Sequence, residues 1–327
     1  MNLAIRHLAL LVALTISLAA CGAAPTVVPT TPAPTVPAPT AVPTSVAAPG
    51  PISVTDDLGR TVALDSVPQR IVSLAPSVTE MLFAVGAGPQ VVGTTSFCDF
   101  PPEATDLPEI GGFSASSISI EAIVGLEPDL VIAGTARQQL IAEQLEQLGI
   151  PVVVLAPASF DAVYASILQV GTLTGHSNQA TQLVAAMQAR VKTVTDVVAT
   201  LPAEARPSVY WEVTNDPLMA AGPNTFIDQM IELVGATNIF ADASEAYPQV
   251  NPETVFERDP QVILGPDSHG GALNIATVTE RPGWANIQAV RDGRVYTLDG
   301  DIVSRPGPRL ADALELLAAT LYPAAFE

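Results

Sequence analysis

Apolar and polar positions follow a pattern that occurs twice along the chain. The stretch SIEAIVGLEPDLVIAG occupies 119–134, and NPETVFERDPQVILGP occupies 251–266. In each, an N-capping residue and a first-turn glutamate, Glu121 or Glu253, precede a short stretch that ends at a proline. A continuous apolar run follows, as in a strand that is buried on both faces. The pattern predicts a short helix followed by a buried strand at both places.

A second pair of similar segments extends the repeat. TEMLFAVGAG at 79–88 and IDQMIELVGAT at 227–237 are apolar helical patterns, and each ends at a glycine, Gly86 or Gly235. A buried-type strand precedes each of them, RIVSLAP in one half and SVYWEV in the other. The order strand, helix, helix, strand therefore recurs, which predicts two similar α/β lobes rather than a solenoid of many repeats.

The N-terminal 51 residues have a different character. Arg6 precedes an apolar run that is too short to span a bilayer, and residues 1–20 are predicted to be a signal peptide. The run ends in LAAC at Cys21, which resembles a bacterial lipobox and implies cleavage before Cys21 and lipidation of its thiol. Residues 21–51, rich in proline, threonine and alanine, are predicted to be an extended tether. The sequence predicts an extracytoplasmic protein that is anchored to a membrane.

Composition excludes several kinds of function. A net charge of −20 argues against binding of nucleic acid. Of the three histidines, His7 lies in the signal peptide, and His176 and His269 do not form a metal-ligand cluster. No phosphate-binding glycine loop, zinc-protease motif or nucleophile elbow occurs, so we expect no enzyme, no cofactor and no structural metal. With Cys21 lipidated, Cys98 has no disulfide partner within the chain.

Four segments carry a resemblance to a known family. RIVSLAPSVTEMLFAVGAG, SFCDFPPEA, IEAIVGLEPDLVIAG and YPQVNPETVFERDPQVIL resemble the substrate-binding proteins of importers for cobalamin and ferric siderophores, over essentially 52–326. The resemblance implies an α/β fold in which two Rossmann-like lobes are joined by a single long rigid helix, with the ligand cleft between them. We expect an N-terminal lobe at 52–160, a helical connector at 161–205 whose long helix spans 177–201, and a C-terminal lobe at 206–327.

The same resemblance implies which residues bind the ligand. It places aromatic or bulky side chains against a flat ligand and polar groups at the cleft floor, and of these we expect Tyr247 to be the most exposed. Ile302 stands where better-known cobalamin receptors have a large ring, and this departure favours cobalamin less strongly over a siderophore or haem. The ligand-facing residues that the resemblance implies are Pro76, Ser77, Val78, Phe97, Cys98, Phe113, Met219, Tyr247, Asp301 and Arg305.

The repeated glutamates have a role in this family as well. Those that match Glu121 and Glu253 stand one on each lobe and engage arginines of the two permease subunits. The resemblance thus implies a monomeric receptor whose partner is the permease dimer of an ABC importer. The expected ligand is a corrinoid, and a ferric siderophore or haem is the alternative, with Arg137 and Arg305 as the cationic groups for an anionic chelate. A hydrolase or a sensory module on the same fold is the competing class.

Overall fold

Two parallel sheets organise the chain in the computed structural model, which describes residues 51–268 and 273–326. The predicted signal peptide, Cys21, the tether up to residue 50 and His269 lie outside the described residues. The first lobe contains, in chain order, β1 (Ile52–Thr55), β2 (Thr61–Leu64), β3 (Ile71–Ser73), α1 (Pro76–Ala84), β4 (Val91–Gly93), α2 (Ile120–Gly125), β5 (Leu130–Ala133), α3 (Gln139–Gln147), β6 (Val152–Val154) and α4 (Phe160–Thr174). A single helix, α5 (Ser177–Ala199), follows this lobe.

The second lobe has a closely related set of elements. In chain order they are β7 (Ser208–Asn215), β8 (Leu218–Ala220), α6 (Phe226–Leu233), β9 (Thr237–Asn238), α7 (Pro252–Arg258), β10 (Val262–Pro266), α8 (Ile275–Glu280), α9 (Gln288–Arg291), β11 (Val295–Leu298), α10 (Gly300–Val303) and α11 (Leu310–Leu321). Short 3₁₀ turns join several of these elements in both lobes.

The two sheets share one topology. The first lobe has the strand order β4-β3-β5-β6, with every neighbouring pair parallel. In the second lobe β9, β7, β10 and β11 pair in the corresponding order, again all parallel. The second lobe adds β8, which pairs antiparallel with the last residues of β7. The first lobe adds the antiparallel hairpin β1-β2. The predicted α/β fold with two similar lobes is confirmed.

The repeated segments have the same local structure. Ser119 caps α2, its Oγ accepting a hydrogen bond from the amide of Ala122 at 3.1 Å. Asn251 caps α7, its side-chain oxygen accepting from the amide of Glu253 at 2.9 Å. These caps satisfy amides that have no partner within the first turn of a helix. Both helices also end before the proline, as the sequence predicts.

The repeat continues beyond the two helices. The residue before each proline, Glu127 or Asp259, has a positive φ, of 47° and 40° respectively. The residue after each proline then accepts a hydrogen bond from a backbone amide at the start of the neighbouring strand. Asp129 accepts from the amide of Arg70 at 2.9 Å, and Gln261 accepts from that of Ser208 at 2.9 Å. The duplication therefore fixes how each short helix leads into the central strand of its sheet.

The helix α5 carries the chain from one lobe to the other. Its 23 residues correspond to a length of about 35 Å. Near its start, α4 approaches so closely at Gly171 that an added Cβ would lie 2.4 Å from the Cβ of Ala180. Near its end, an added Cβ on Gly235 of the second lobe would lie 2.9 Å from a methyl group of Val198. No helix within 51–268 and 273–326 is long and apolar enough to cross a membrane.

Three clusters of buried apolar side chains form the core. One cluster lies on the outer face of each sheet, including Val72 and Ile123 in the first lobe and Tyr210 and Val255 in the second. The third and largest cluster is shared, since it includes residues of α1, α4, α5, α6 and α11. Outside the core, Arg190 of α5 donates hydrogen bonds to Glu315 of α11 at 2.6 and 2.8 Å. The two lobes therefore pack on the connecting helix rather than only being tethered by it.

Candidate ligand-binding cleft

A cavity of about 350 Å³ lies between the two lobes. In the first lobe its walls follow the carboxyl ends of β3 and β5, which is where open parallel sheets bind ligands. In the second lobe the wall is the segment between α10 and α11. The lining residues are Pro76, Ser77, Phe97, Phe113, Gly134, Ser304, Arg305 and Pro306. The cavity is thus lined by five of the residues that the resemblance implies as ligand-facing: Pro76, Ser77, Phe97, Phe113 and Arg305.

The backbone at the carboxyl ends of β3 and β5 approaches very closely. A Cβ added to Gly134 would lie 2.2 Å from the Cβ of Ala75, which leaves space for glycine alone. Ala75 is the N-cap residue of α1, and it has no side chain that could accept a hydrogen bond from the first-turn amides. The first turn of α1, beginning with Pro76 and Ser77, therefore forms a wall of the cavity with its backbone close to the ligand space.

Two phenylalanines form the exposed apolar wall. Phe97 is 47% exposed and Phe113 is 41% exposed, which is unusual for rings of this size. Ser117 supports the turn that carries Phe113: its Oγ accepts a hydrogen bond from the amide of Ser114 at 3.1 Å, and its carbonyl accepts one from the amide of Gly112 at 3.0 Å. The rings are thus held on ordered backbone while their faces remain available to a ligand.

Gln138 positions this wall, although no sequence pattern singles it out. It is buried, and its Nε2 donates hydrogen bonds to the carbonyls of Leu74 at 2.8 Å and Phe113 at 3.0 Å. Its Oε1 accepts from the amide of Gly134 at 3.0 Å. One amide side chain therefore ties together three segments of the first lobe that surround the cavity. A glutamine in a polar stretch has no sequence signature for such a role.

Arg305, which lines the cavity, belongs to a group of charged side chains that links the lobes. Arg305, from the second lobe, donates hydrogen bonds to Asp99 at 2.6 and 3.2 Å and to Asp301 at 2.6 Å. It also donates to Glu80 at 3.3 Å, and Arg309 donates to the same carboxylate at 2.7 and 3.0 Å. Both arginines belong to the second lobe, whereas Glu80 and Asp99 belong to the first. We call Arg305, Arg309, Glu80, Asp99 and Asp301 the inter-lobe ion cluster.

Two acidic members of the cluster, Asp99 and Glu80, have shifted pKa values. Hydrogen bonds from Arg305 lower the pKa of Asp99. Burial raises the pKa of Glu80, while the hydrogen bonds and charges of Arg309 and Arg305 oppose that shift. Both partners of Glu80 are guanidinium groups that keep their protons, and their hydrogen bonds favour the charged form of its carboxyl group. Arg305 lines the cavity but is already neutralised by carboxylates, so its charge is poorly available to an anionic ligand.

Several proposed residues do not line this cavity. Val78 is fully buried in the shared core, so its side chain does not line the cavity, and its contact with a ligand stays a prediction. Cys98 is buried too, with its Sγ 3.1 Å from Thr79 Oγ1 and 3.2 Å from Thr95 Oγ1. Burial raises the pKa of this thiol, which favours the unreactive neutral form.

The remaining proposals lie in the second lobe. Met219 is half-buried in β8 and forms an isolated bridge with Gln249. Tyr247 is also half-buried and packs against the shared core, and burial raises the pKa of its hydroxyl. The expectation that Tyr247 would be the most exposed aromatic residue is wrong, since Phe97 and Phe113 are more exposed. Neither Met219 nor Tyr247 lines the cavity.

The two repeated glutamates lie away from the cavity, on the outer surface. Glu121 and Glu253 are exposed in the first turns of α2 and α7. The buried residue two positions later, Ile123 or Val255, faces the outer core cluster of the corresponding lobe. The two carboxylates therefore occupy equivalent places on the two lobes.

The described part of the chain contains no group of three or more histidine, cysteine or acidic residues that is suited to hold a metal ion. Two α/β lobes joined by one helix, with a largely apolar cavity between them, define a bilobal solute-binding protein. The sequence profile of the periplasmic binding protein family matches residues 71–302, and the chain belongs to this family.

Three similar proteins make the class more specific. The chain is 33% identical over 282 residues to an uncharacterized ABC transporter substrate-binding lipoprotein, YvrC, of Bacillus subtilis, covering 85% of this chain and 87% of that protein. It is 33% identical over 261 residues to a vitamin B12-binding protein of Pectobacterium atrosepticum, covering 78% and 89%. The crystal structure of the periplasmic heme-binding protein RhuT from Roseiflexus sp. RS-1 matches with a TM-score of 0.69 and 32% identity, covering 79% and 99%.

These findings settle the class of function. The protein is an extracytoplasmic substrate-binding protein of an ABC importer, and its partner is the importer's permease. It belongs to a family of binding proteins and not of enzymes. One of these relatives is named for binding vitamin B12 and another for binding heme, so the class alone does not name the ligand of this chain.

Proposed function

We propose that the protein captures a corrinoid, with cobalamin as the first candidate, and delivers it to the permease dimer of an ABC importer. The observation that carries this proposal is the exposed pair Phe97 and Phe113 on one wall of a largely apolar cavity. A flat macrocycle with apolar faces is bound well by aromatic side chains and a few placed polar groups. The similarity to a vitamin B12-binding protein supports the same ligand.

The size of the cavity adds a condition to this proposal. A volume of about 350 Å³ is near the lower end of the range of about 300–1,000 Å³ for small-molecule sites. A corrinoid is larger than this space. Its binding therefore requires the lobes to separate or part of the ligand to extend past the rim that Phe97 and Phe113 form.

Haem is the second candidate, supported by the similarity to a heme-binding protein of known structure. A tyrosine can serve as an axial ligand of haem iron. Tyr247 is the tyrosine that the sequence offers for this role, but its side chain packs against the shared core and does not line the cavity, so the structure supports haem less well than a corrinoid. A highly anionic ferric siderophore is less well matched, because Arg305 is already paired with Asp99, Asp301 and Glu80.

Titration of the purified mature domain with cyanocobalamin, haemin and a ferric hydroxamate separates these ligands. We expect cyanocobalamin to bind most tightly by calorimetry. The variant with both Phe97→Ala and Phe113→Ala should lose about 1–3 kcal/mol, or roughly tenfold to a hundredfold in affinity. The control Leu140→Ala removes an exposed side chain of α3 that does not line the cavity and should bind normally. A Soret shift with haemin and no heat with cyanocobalamin would assign the site to haem instead.

We also propose that the protein acts as a monomer that is anchored through lipidated Cys21 and docks on the permease through Glu121 and Glu253. Two equivalent carboxylates on two similar lobes match a partner with twofold symmetry. Reversing both charges to lysine should abolish uptake by the reconstituted importer while ligand affinity in the isolated domain stays normal. Normal uptake with the doubly reversed variant would exclude the docking role.

A further inference from the structure

The two short helices of the repeat share a second surface feature. Val124 on α2 is 41% exposed, and Phe256 on α7 is 43% exposed. Each follows the repeated glutamate by three positions, and each directly follows the buried residue that anchors its helix in the core. Large exposed apolar side chains are few in the described residues, and two of them occupy equivalent positions on the two lobes.

Position along the helix brings each apolar side chain next to the glutamate. Residues three apart lie on the same side of an α-helix, so Val124 is a neighbour of Glu121 and Phe256 is a neighbour of Glu253. Each lobe thus presents one carboxylate beside one apolar side chain. Folding alone gives no reason for this arrangement, since Ile123 and Val255 already supply the buried contact of each helix.

We propose that Val124 and Phe256 are the apolar anchors of the contact with the permease dimer. This proposal rests on the docking role of the two glutamates. Each anchor enters an apolar depression on one permease subunit, beside the cationic group that pairs with the neighbouring glutamate. A symmetric dimer offers two such depressions, and the receptor offers two such anchors, one on each lobe.

The two side chains in each pair have different effects on binding. Charged groups at an exposed rim mainly accelerate association and set its salt dependence. Apolar side chains that become fully buried mainly slow dissociation, and a few such residues contribute most of the affinity of an interface. The glutamates should therefore control the association rate, whereas Val124 and Phe256 should control the lifetime of the complex.

The two anchors should not contribute equally. Phenylalanine buries more apolar area than valine, so replacement by alanine removes more contact at Phe256 than at Val124. Phe256→Ala should therefore accelerate dissociation more than Val124→Ala does. We expect roughly tenfold for Phe256→Ala, a smaller factor for Val124→Ala, and a combined effect in the double variant that exceeds either one.

The test uses the cognate importer in lipid nanodiscs and measures receptor binding by biolayer interferometry. Val124→Ala, Phe256→Ala and the double variant should dissociate faster with a nearly unchanged association rate and unchanged salt dependence. Leu148→Ala is the control, because Leu148 is an even more exposed apolar residue at the end of α3 and outside the repeat. Thermal unfolding and cyanocobalamin affinity of the isolated domain should stay the same in all variants.

Each outcome separates the two proposals. If the lysine variants of Glu121 and Glu253 bind the importer normally, the docking role of the glutamates is wrong. If those variants fail to bind but the double alanine variant dissociates at the normal rate, the anchors are overturned while the docking role stands. If Leu148→Ala accelerates dissociation as much as the double alanine variant does, the effect comes from surface apolarity in general, and the proposed role of Val124 and Phe256 is wrong. If cyanocobalamin does not bind the isolated domain, the proposed ligand is wrong, and the proposals on docking are unchanged.

Discussion

The contact between Glu80 and Arg309 should be a strong link between the two lobes. Glu80 lies on α1 of the first lobe with its side chain 2% exposed, and Arg309 immediately precedes α11 of the second. The guanidinium donates two hydrogen bonds to the carboxylate, at 2.7 and 3.0 Å. The perturbation we consider is Glu80→Gln, which keeps the shape of the side chain and removes its charge, together with Arg309→Met and the combination of both.

The geometry sets the expected magnitude. Opposite unit charges about 3 Å apart attract by about 5 kcal/mol at an effective dielectric constant of about 20, which is an upper limit because both groups have also left water. Removing one partner of a buried pair costs about 3–5 kcal/mol, since the other charge stays buried without compensation. For Glu80→Gln the loss should be near the upper end, because Arg305 also donates to this carboxylate at 3.3 Å.

Urea denaturation followed by circular dichroism at neutral pH gives the free energy of unfolding of each variant. The double variant should be more stable than the sum of the single losses implies, with a coupling energy of about 1–3 kcal/mol. Asp196→Asn is the control, since it removes an exposed ion pair with Lys192 on α5 and should change stability by less than about 1 kcal/mol. Additive effects of Glu80→Gln and Arg309→Met, within about 0.5 kcal/mol, would refute the link.

Three further predictions concern pH, the cavity wall and the anchor. Hydrogen bonds from arginine side chains lower the pKa values of Asp99 and Glu315 in the folded protein. Their contribution to stability is therefore complete above their pKa values in the unfolded chain, about 3.9 and 4.3, and is lost as the pH falls further. Urea titrations at pH values from 7 to 3 should show this loss as a lower free energy of unfolding. Gly134→Ala should push β5 away from Ala75 and weaken cyanocobalamin binding in calorimetry, and unchanged affinity would show that the wall adjusts. Cys21→Ser should move the protein from the membrane to the soluble fraction, and retention after a high-salt wash would exclude the lipid anchor.

The fold could be predicted from the sequence because of the repeat. Local signals identify its helices: Ser119 and Asn251 as caps, and Gly86 and Gly235 as left-handed residues after α1 and α6. Each of these signals involves residues only a few positions apart, so local geometry determines the outcome. The continuous apolar runs likewise predict strands covered on both faces, and those at β3, β5 and β10 are fully buried.

The cavity was predictable only in part, because its details depend on contacts between distant segments. The pairing of Arg309 with Glu80 joins residues that are 229 positions apart, and no local pattern indicates it. The role of Gln138 was missed for the same reason. The exposure of Phe97, compared with Tyr247, depends on which loop packs against the shared core, and composition near each residue pointed the other way. The resemblance places Val78 in a ligand-facing turn, but a turn shared with a family does not tell which of its side chains enters the core, and Val78 does.

The single continuous helix between the lobes has a consequence for how the importer is supplied. With α5 packed on α4 and on α11, and one apolar cluster shared by both lobes, we expect the ligand to extend past the rim of the cavity rather than to separate the lobes, so the spacing of Glu121 and Glu253 should change little when ligand enters. The docking surface that we propose around these two glutamates is then the same on a full receptor and on an empty one. Receptors without ligand would then compete with ligand-bound receptors for the same permease. Uptake should therefore depend on the fraction of receptors that carry ligand, and producing more receptor without more ligand should slow transport.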